Sequence, residues 1–441
     1  MSTILSSQQK DDYGYPTRPD SRRKVRNLLV GTSKRILLAG VTSIMSGAGA
    51  YLALRRFGKK QPALTPMTFY PRRILVLRMD LIGDLVLSLT VVRLLKKTYP
   101  EAEIDLLALP GSAKIIGNDP DIAQIIPYDP NIWRRPKALL QQKNWHQLKQ
   151  LRQQLQAQHY DLAVSIFGPW AALLSVVSGA RRRLGFGQES YPGMMTDTVP
   201  GAHWEPEDHL HEVDYCLRLA QAAGATVQPD DRVPRLFVDE QARHDVDTLL
   251  AQEQIRADQP LIACHVSATN GQSKRWPIPY WARLLDRLIR EDHYNVVLTG
   301  APADLPLIED ILHRMKETPV NLAARTSLIQ LAALLQRADL VLTGDSGPMH
   351  IAAAVGTALI AIHGPTDPAM SGPVSPHATV LRDTIWCSPC YKARGAAADC
   401  RFFTTQCMKN ISPEQVYQVI QQKLQRQQSD LAQPVHKGED E

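Results

Sequence analysis

Residues 340–368 read LVLTGDSGPMHIAAAVGTALIAIHGPTDP. Leu340 to Leu342 are expected to form a short buried strand, Thr343-Gly344-Asp345-Ser346-Gly347-Pro348 a tight turn, and residues from near Met349 through Ala354 a helix. Ala358 to His363 then reads as a second strand, the pattern of a parallel βαβ unit. Such a turn gathers backbone N–H groups, a hydroxyl and a carboxylate at a helix N-terminus, where the dipole and the unpaired N–H groups favour phosphate. Asp345 repels phosphate and suits a ribose or sugar hydroxyl instead. The ligand this stretch calls for is a nucleotide carrying a further group.

Outward from it, the same alternation fills the second half of the chain. Pro260 to Val266 reads as a strand, Tyr280 to Glu291 as a helix, Asn295 to Thr299 as a strand, and Leu305 to Lys316 and Leu328 to Arg337 as helices. The first half runs in parallel: strand Arg73 to Arg78, a helix from the Asp80–Asp84 turn through Leu95, strands Glu103 to Ala108 and Ile122 to Pro127, helix Lys143 to Gln158, strand Tyr160 to Phe167, helix Ala171 to Ser178. Two α/β halves joined near Gln228–Pro234 imply a cleft, with ligands beyond the carboxyl ends of the strands. The expected division is 1–71 arm, 72–232 first domain, 233–411 second domain, 412–428 closing helix and 429–441 disordered tail.

At 441 residues the chain is long enough for two domains with sizeable cores. Its net charge of +6 is unevenly placed. Residues 1–73 hold fourteen Lys or Arg against three Asp, a balance of +11, so the remainder carries −5. A mildly acidic body excludes a general nucleic-acid binder and leaves residues 18–60 to meet an anionic membrane surface. Ile36 to Leu54 is a 19-residue run without charge, flanked by basic residues. It reads as a helix that spans or lies on a membrane, as a buried helix, or as a signal segment. No P-loop and no G-x-G-x-x-G is present, against an ATPase or a nicotinamide enzyme.

Four stretches together carry a resemblance: RILVLRMDLIGDLVLSLTVVRLLKKTYP, HVSATNGQSKRWP, TGDSGPMHIAAAVGT and IHGPTDP. In this order and spacing, over about residues 72–425, the chain resembles glycosyltransferase family 9, the lipopolysaccharide heptosyltransferases and their relatives. The resemblance implies an α/β fold of the GT-B class, two Rossmann-like domains with parallel sheets facing across a cleft. It also implies inversion at the donor's anomeric carbon without a required metal. The donor would be a nucleotide sugar, ADP-heptose by analogy, and the acceptor a lipopolysaccharide-type or lipid-linked glycan at the cytoplasmic face of a membrane. The other readings are a GT-B transferase or epimerase using a UDP- or GDP-sugar, and an inactive membrane-tethered nucleotide-sugar-binding protein.

An inverting transfer needs a base for the acceptor hydroxyl. Asp84 is the position that matches the family's proposed base, with Asp80 as competitor and a helix N-cap as the bland alternative. Lys274 matches the family's phosphate-binding lysine, in a K-x-W-P element. Ser267 adds a hydroxyl to the same phosphates, and Ser346, Gly347 and His350 look like diphosphate contacts, His350 alternatively packing its helix. Asp119-Pro120-Asp121 imitates a metal–nucleotide element but sits where an ordinary turn is expected. Arg181-Arg182-Arg183 reads as a solvated rim or an anion contact. Cys387, Cys390, Cys400 and Cys407 admit free thiols, one structural zinc, or disulfides, in that order.

Overall fold

The computed structural model describes residues 12–13, 70–134, 136–188, 192–201, 210–268, 271–391 and 400–432. The uncharged segment 36–54, almost all of the basic arm and residues 433–441 lie outside these. Among the described residues no helix is long and apolar enough to cross a membrane. Contacts divide the chain into two compact units that meet in sequence at Asp239 and Glu240.

In the first unit, β1 (Arg73–Arg78), β2 (Glu103–Ala108), β3 (Gln124–Pro127), β4 (Leu162–Phe167), β5 (Arg182–Phe186) and β6 (Asp197–Val199) form one sheet. Its order is β3-β2-β1-β4-β5-β6 and every pairing is parallel. Ile74, Leu75, Val76 and Leu77 of β1 are all fully buried. A strand covered on both faces has no reason to alternate, hence the continuous apolar run. Helices α1 (Ile82–Thr98), α2 (Gln142–Ala157), α3 (Pro169–Val177) and α4 (Glu212–Ala222) complete the unit. The Gln-rich α2 buries only a narrow stripe, Asn144, Leu148, Leu151 and Leu155, at helical spacing. The stretch after α4 stays tied to this unit: Asp231 pairs with Lys97 at 3.0 Å, Arg232 with Asp214 at 2.8 Å, and Arg93 donates to the Arg235 carbonyl at 3.2 Å.

The second unit repeats the plan. Strands β7 (Leu261–His265), β8 (Asn295–Thr299), β9 (Val320–Asn321), β10 (Leu340–Gly344), β11 (Leu359–His363) and β12 (Ala378–Arg382) lie in the order β12-β11-β10-β7-β8-β9, again all parallel. Around them run α5 (Glu240–Gln252), α6 (Ile278–Arg290), α7 (Leu305–Leu312), α8 (Leu328–Arg337), α9 (Gly347–Ala354) and α10 (Pro413–Ala432). The last helix puts Val416, Ile420 and Leu424 into the same core as Trp281, Leu284, Leu285 and Leu288 of α6. It reaches Ala432, so residues 429–432, expected in the tail, are helical. In each sheet the order reverses between the first and fourth strands, β1 and β4 or β7 and β10. Loops leaving those strands diverge there, which opens the crevice where open α/β sheets bind ligands.

Candidate active site

At the reversal point of the first sheet, β1 ends on Arg78 and α1 starts at Ile82. The N-cap is Leu81, which offers no side-chain cap, and Asp84 falls inside the first turn of the helix. The bland N-cap reading of Asp84 therefore does not describe it. Its carboxylate is 30% exposed and lies where the helix dipole favours negative charge. Asp80, in contrast, is engaged locally: its Oδ1 accepts the Leu81 N–H at 3.0 Å and its carbonyl accepts the Ser112 hydroxyl at 2.9 Å. Behind both carboxylates sits the buried Arg78, whose Nη2 lies 3.4 Å from Asp80 Oδ2 and 3.5 Å from Asp84 Oδ1.

At the reversal point of the second sheet, β10 delivers Asp345 and Ser346 to the start of α9. Ser346 is the N-cap, in extended conformation, and its side chain makes no capping bond; its Oγ lies 3.0 Å from Thr343 Oγ1. Pro348 carries no N–H and the Met349 N–H donates to the Ser346 carbonyl at 3.1 Å, so the donor that the first turn of α9 holds toward a ligand is the Gly347 N–H. The loop after β7 brings Lys274 to Asp345, Nζ to Oδ2 at 2.7 Å, with the two side chains 11% and 9% exposed. Trp276 anchors that loop: its Nε1 donates to the Ile411 carbonyl at 2.8 Å and its ring meets Trp281 edge-on at 5.2 Å. Lys274 also lies over the Tyr391 ring, 4.1 Å from its centre.

Burial by itself would raise the Asp345 carboxyl; Lys274, with His363 and His350 nearby, holds it below the usual aspartate range instead. His363 is pushed down by burial, its Nε2 3.3 Å from Met349 Sδ and its Nδ1 3.3 Å from Thr366 Oγ1. His350 is buried in α9. Ser267 donates its hydroxyl proton to Asp304 Oδ1, and Asp304 Oδ2 accepts the Ala301 N–H at 2.8 Å. In this state Ser267 has lone pairs to offer and no proton, the wrong polarity for a phosphate oxygen.

At the end of β7, two residues before Ser267, His265 is buried with Nδ1 3.2 Å from Thr299 Oγ1, and burial pushes it down to about 4 despite the opposing pull of Asp304. An unfolded histidine titrates near 6.5, so between pH 6.5 and 4 the unfolded chain binds a proton that the native protein refuses. Stability therefore falls as pH drops through that window and flattens below it. Urea melts at pH 7 and pH 4.5 should differ in the second unit by a few kcal/mol. His265→Gln should shrink the part of that difference due to this residue; an unchanged slope would assign the loss elsewhere.

Cys387, Cys390, Cys400 and Cys407 line one small pocket together with Ser273, Pro365 and Phe402. The structural-zinc expectation finds no support: among the described residues no three His, Cys, Asp or Glu side chains are grouped to hold a metal ion. Cys407 belongs to the apolar core beside Met408, and burial pushes its thiol up to about 12. All four cysteines are free, as are Cys216 and Cys264. The segment packs on the loop after β11 so closely that a Cβ at Gly364 would come within 2.3 Å of Met408 Sδ and 3.0 Å of Cys407 Sγ. The N–H groups of Cys390 and Tyr391 both donate to the Pro365 carbonyl, at 2.9 and 2.8 Å. That anchorage is what carries Tyr391 to Lys274.

Two parallel sheets of one strand order, each with charged and hydroxyl side chains at its reversal point, invite comparison with known proteins. The family described as glycosyltransferase family 9 (heptosyltransferase) matches residues 148–399, more than half of the chain. The chain belongs to glycosyltransferase family 9. Lipooligosaccharide heptosyltransferase 2 of Haemophilus influenzae is 29% identical over 319 residues, 70% of this chain and 88% of the relative. Lipopolysaccharide heptosyltransferase 2 of Escherichia coli K12 is 28% identical over 320 residues, with the same two shares covered. Among solved structures, the E. coli ADP-heptose lps heptosyltransferase II superposes with a TM-score of 0.65 at 25% identity, covering 81% of this chain and 99% of the other. E. coli heptosyltransferase WaaC with ADP superposes at 0.61 with 20% identity, covering 80% and 99%, a likeness of fold. The fold is GT-B and the protein is an enzyme, a glycosyltransferase.

In this family 9 glycosyltransferase, two weaker sequence signals resolve into structural roles. Arg93 bridges Asp119 and Asp121, the latter at 2.6 Å, so the D-P-D turn is tied to α1 by an ion pair. Arg182 pairs with Asp197 and Arg183 donates to the Met194 carbonyl at 2.8 Å, while Arg181 is the exposed member of the basic triplet. Four residues near the candidate groups were not singled out from sequence: Arg78, Glu212, Asp304 and Tyr391. Only Arg78 left a trace there, a charge closing an otherwise apolar strand.

Proposed function

We propose that this glycosyltransferase moves a heptose from ADP-heptose to a lipopolysaccharide-type core acceptor, with inversion at the anomeric carbon. The carrying observation is the Lys274–Asp345 pair at the side-chain-uncapped start of α9, in a chain that spans most of two named heptosyltransferases. In the reaction the acceptor oxygen attacks the sugar's anomeric carbon, the bond from that carbon to the diphosphate oxygen breaks, and the acceptor's proton passes to Asp84. The departing diphosphate gains negative charge, which Lys274 and the Gly347 N–H stabilise. Lys274 exchanges part of its bond to Asp345 for phosphate oxygens, and Asp345 then accepts from ribose or sugar hydroxyls. Ser346 contacts the diphosphate through the hydroxyl it otherwise shares with Thr343, and Ser267 joins if a phosphate oxygen replaces Asp304 as its acceptor. His350 supports the same turn. With charge stabilisation supplied by the protein, we assign catalysis no metal requirement. The basic arm, residues 18–60, is assigned to the anionic inner face of the cytoplasmic membrane, where nucleotide sugar and lipid-borne acceptor meet.

The test is thermal unfolding of the full chain with ADP, UDP or GDP. A nucleotide at 100 times its dissociation constant adds about 2.7 kcal/mol of stability, a readable rise in Tm. Stabilisation by ADP alone, lost in Asp345→Ala, is the expected result. Preference for UDP or GDP would discard ADP-heptose as donor, and no response to any of them would remove the nucleotide site.

A further inference from the structure

Arg78 is the last residue of β1 and is 1% exposed, as is Glu212, the first residue of α4. Their side chains meet at 2.8 Å, Nη1 to Oε1. The guanidinium also lies 5.4 Å from the Phe167 ring centre, at the end of β4. Its other nitrogen, Nη2, faces the turn into α1, 3.4 Å from Asp80 and 3.5 Å from Asp84. The charged and titratable groups that bear on Arg78 thus come from two places: Asp80 and Asp84 around the start of α1, and Glu212 and Cys216 on α4. Burial opposes the charge on Arg78, but the surrounding carboxylates more than restore it, so the guanidinium is held as a permanent cation. Cys216 is no counter-ion, its thiol being pushed up to about 12 by burial first and by Glu212 second.

A buried arginine needs a carboxylate to be tolerated, and Glu212 meets that need. The structural requirement would be satisfied with the second arm of the fork turned elsewhere. It is directed instead at two partly exposed carboxylates, one of which is the assigned base. We propose that Arg78 is a positioning residue that orients the Asp84 carboxylate for proton acceptance, with Glu212 tuning the charge it presents. The proposal rests on the reading of Asp84 as base. A planar cation locked by packing restricts where Asp84 can point, which matters because a misplacement of about 1 Å can cost about a hundredfold in rate. The same cation favours the ionised form of its neighbour, so the base is ready at neutral pH, at some cost to its basicity. Glu212 offsets part of that cost by neutralising Arg78 from behind.

This arrangement predicts shifts of opposite sign. The experiment measures kcat and KM against pH for the full chain, with ADP-heptose as donor and heptose-deficient lipopolysaccharide as acceptor. In the double variant Arg78→Met/Glu212→Met, which leaves no unpaired buried charge, kcat should fall about ten- to a hundredfold with donor KM nearly unchanged. The acid limb of its kcat profile should move to higher pH. Glu212→Gln should move that limb to lower pH, and Arg78→Lys, keeping the charge, should recover part of the rate. A folded double variant with wild-type kcat and profile would overturn the proposal and leave Arg78 a purely structural ion. If the double variant does not fold, Glu212→Gln and Arg78→Lys decide alone: profiles superposing on wild type overturn it. Asp84→Asn separates the two layers. Full activity there removes the base and the proposal with it, whereas an inactive Asp84→Asn beside unaffected Arg78 variants removes the proposal only.

Discussion

Asp84→Asn is expected to lower kcat by about a hundred- to ten-thousandfold, the range that a positioned general base contributes, while donor KM and Tm should change little. The substitution keeps the shape of the side chain and removes its charge and its ability to take a proton, while Glu212 and Asp80 remain as counter-ions to Arg78. Asp84 is 30% exposed and provides no N-cap hydrogen bond to α1, so its loss should not unravel the helix. That separates it from Asp80, whose carboxylate holds the Leu81 N–H in the turn itself. Asp80→Asn is therefore the informative partner. A large kcat loss in Asp80→Asn with little in Asp84→Asn would exchange their roles. Steady-state kinetics at saturating donor, with circular dichroism of each variant, is the measurement.

Lys274→Met has the second largest expected effect, and it acts twice. Loss of a single group that stabilises charge on the leaving diphosphate costs about 2.7–4 kcal/mol of transition-state stabilisation, or about a hundred- to a thousandfold in kcat. The same substitution strands Asp345, whose side chain is 9% exposed and pairs with Lys274 at 2.7 Å. Breaking a buried pair by removing one partner costs about 3–5 kcal/mol of stability. The two effects come apart in Lys274→Met/Asp345→Asn, which leaves no buried charge unpaired. Urea melts of the double variant should return most of the lost stability, while transfer stays at the level of the single variant or below. A double variant that recovers both stability and turnover would make Lys274 a structural cation. The lowered titration of Asp345 adds a sign to this. The pair's contribution is complete above the ordinary aspartate range and disappears only as pH falls through the depressed value.

Much of the fold was readable because the signals for it are local. Strands Arg73–Arg78, Glu103–Ala108 and Asn295–Thr299 and the helix Leu328–Arg337 have the bounds expected from the chain alone. The three strands are apolar runs stopped by turn residues. The helix is announced by a capping box in which Ser327 and Gln330 exchange bonds with each other's backbone. Strands β6, β9 and β12 went unread, being two to five residues long and placed at or near sheet edges. A short edge strand is defined by the neighbour it pairs with rather than by its own pattern. The zinc reading finds no support among the described residues for a related reason. The spacing of Cys387, Cys390, Cys400 and Cys407 cannot say that Cys407 packs with Met408 in an apolar core.

The sequence by itself carried the family 9 resemblance, the two parallel α/β units, the tight turn at Asp345 and a carboxylate after the first strand. Those features reside in runs of a few residues, where periodicity, turn chemistry and helix-end dipoles act within one or two turns of chain. The tertiary structure alone decided which charges meet. Arg78 and Glu212 are 134 residues apart in sequence and 2.8 Å apart in space. Lys274 finds both Asp345 and Tyr391, Ser267 gives its proton to Asp304, and Arg93 absorbs the D-P-D turn. Desolvation drives these pairings: a charge carried into the interior must find an opposite charge there, and which one it finds depends on how the elements pack.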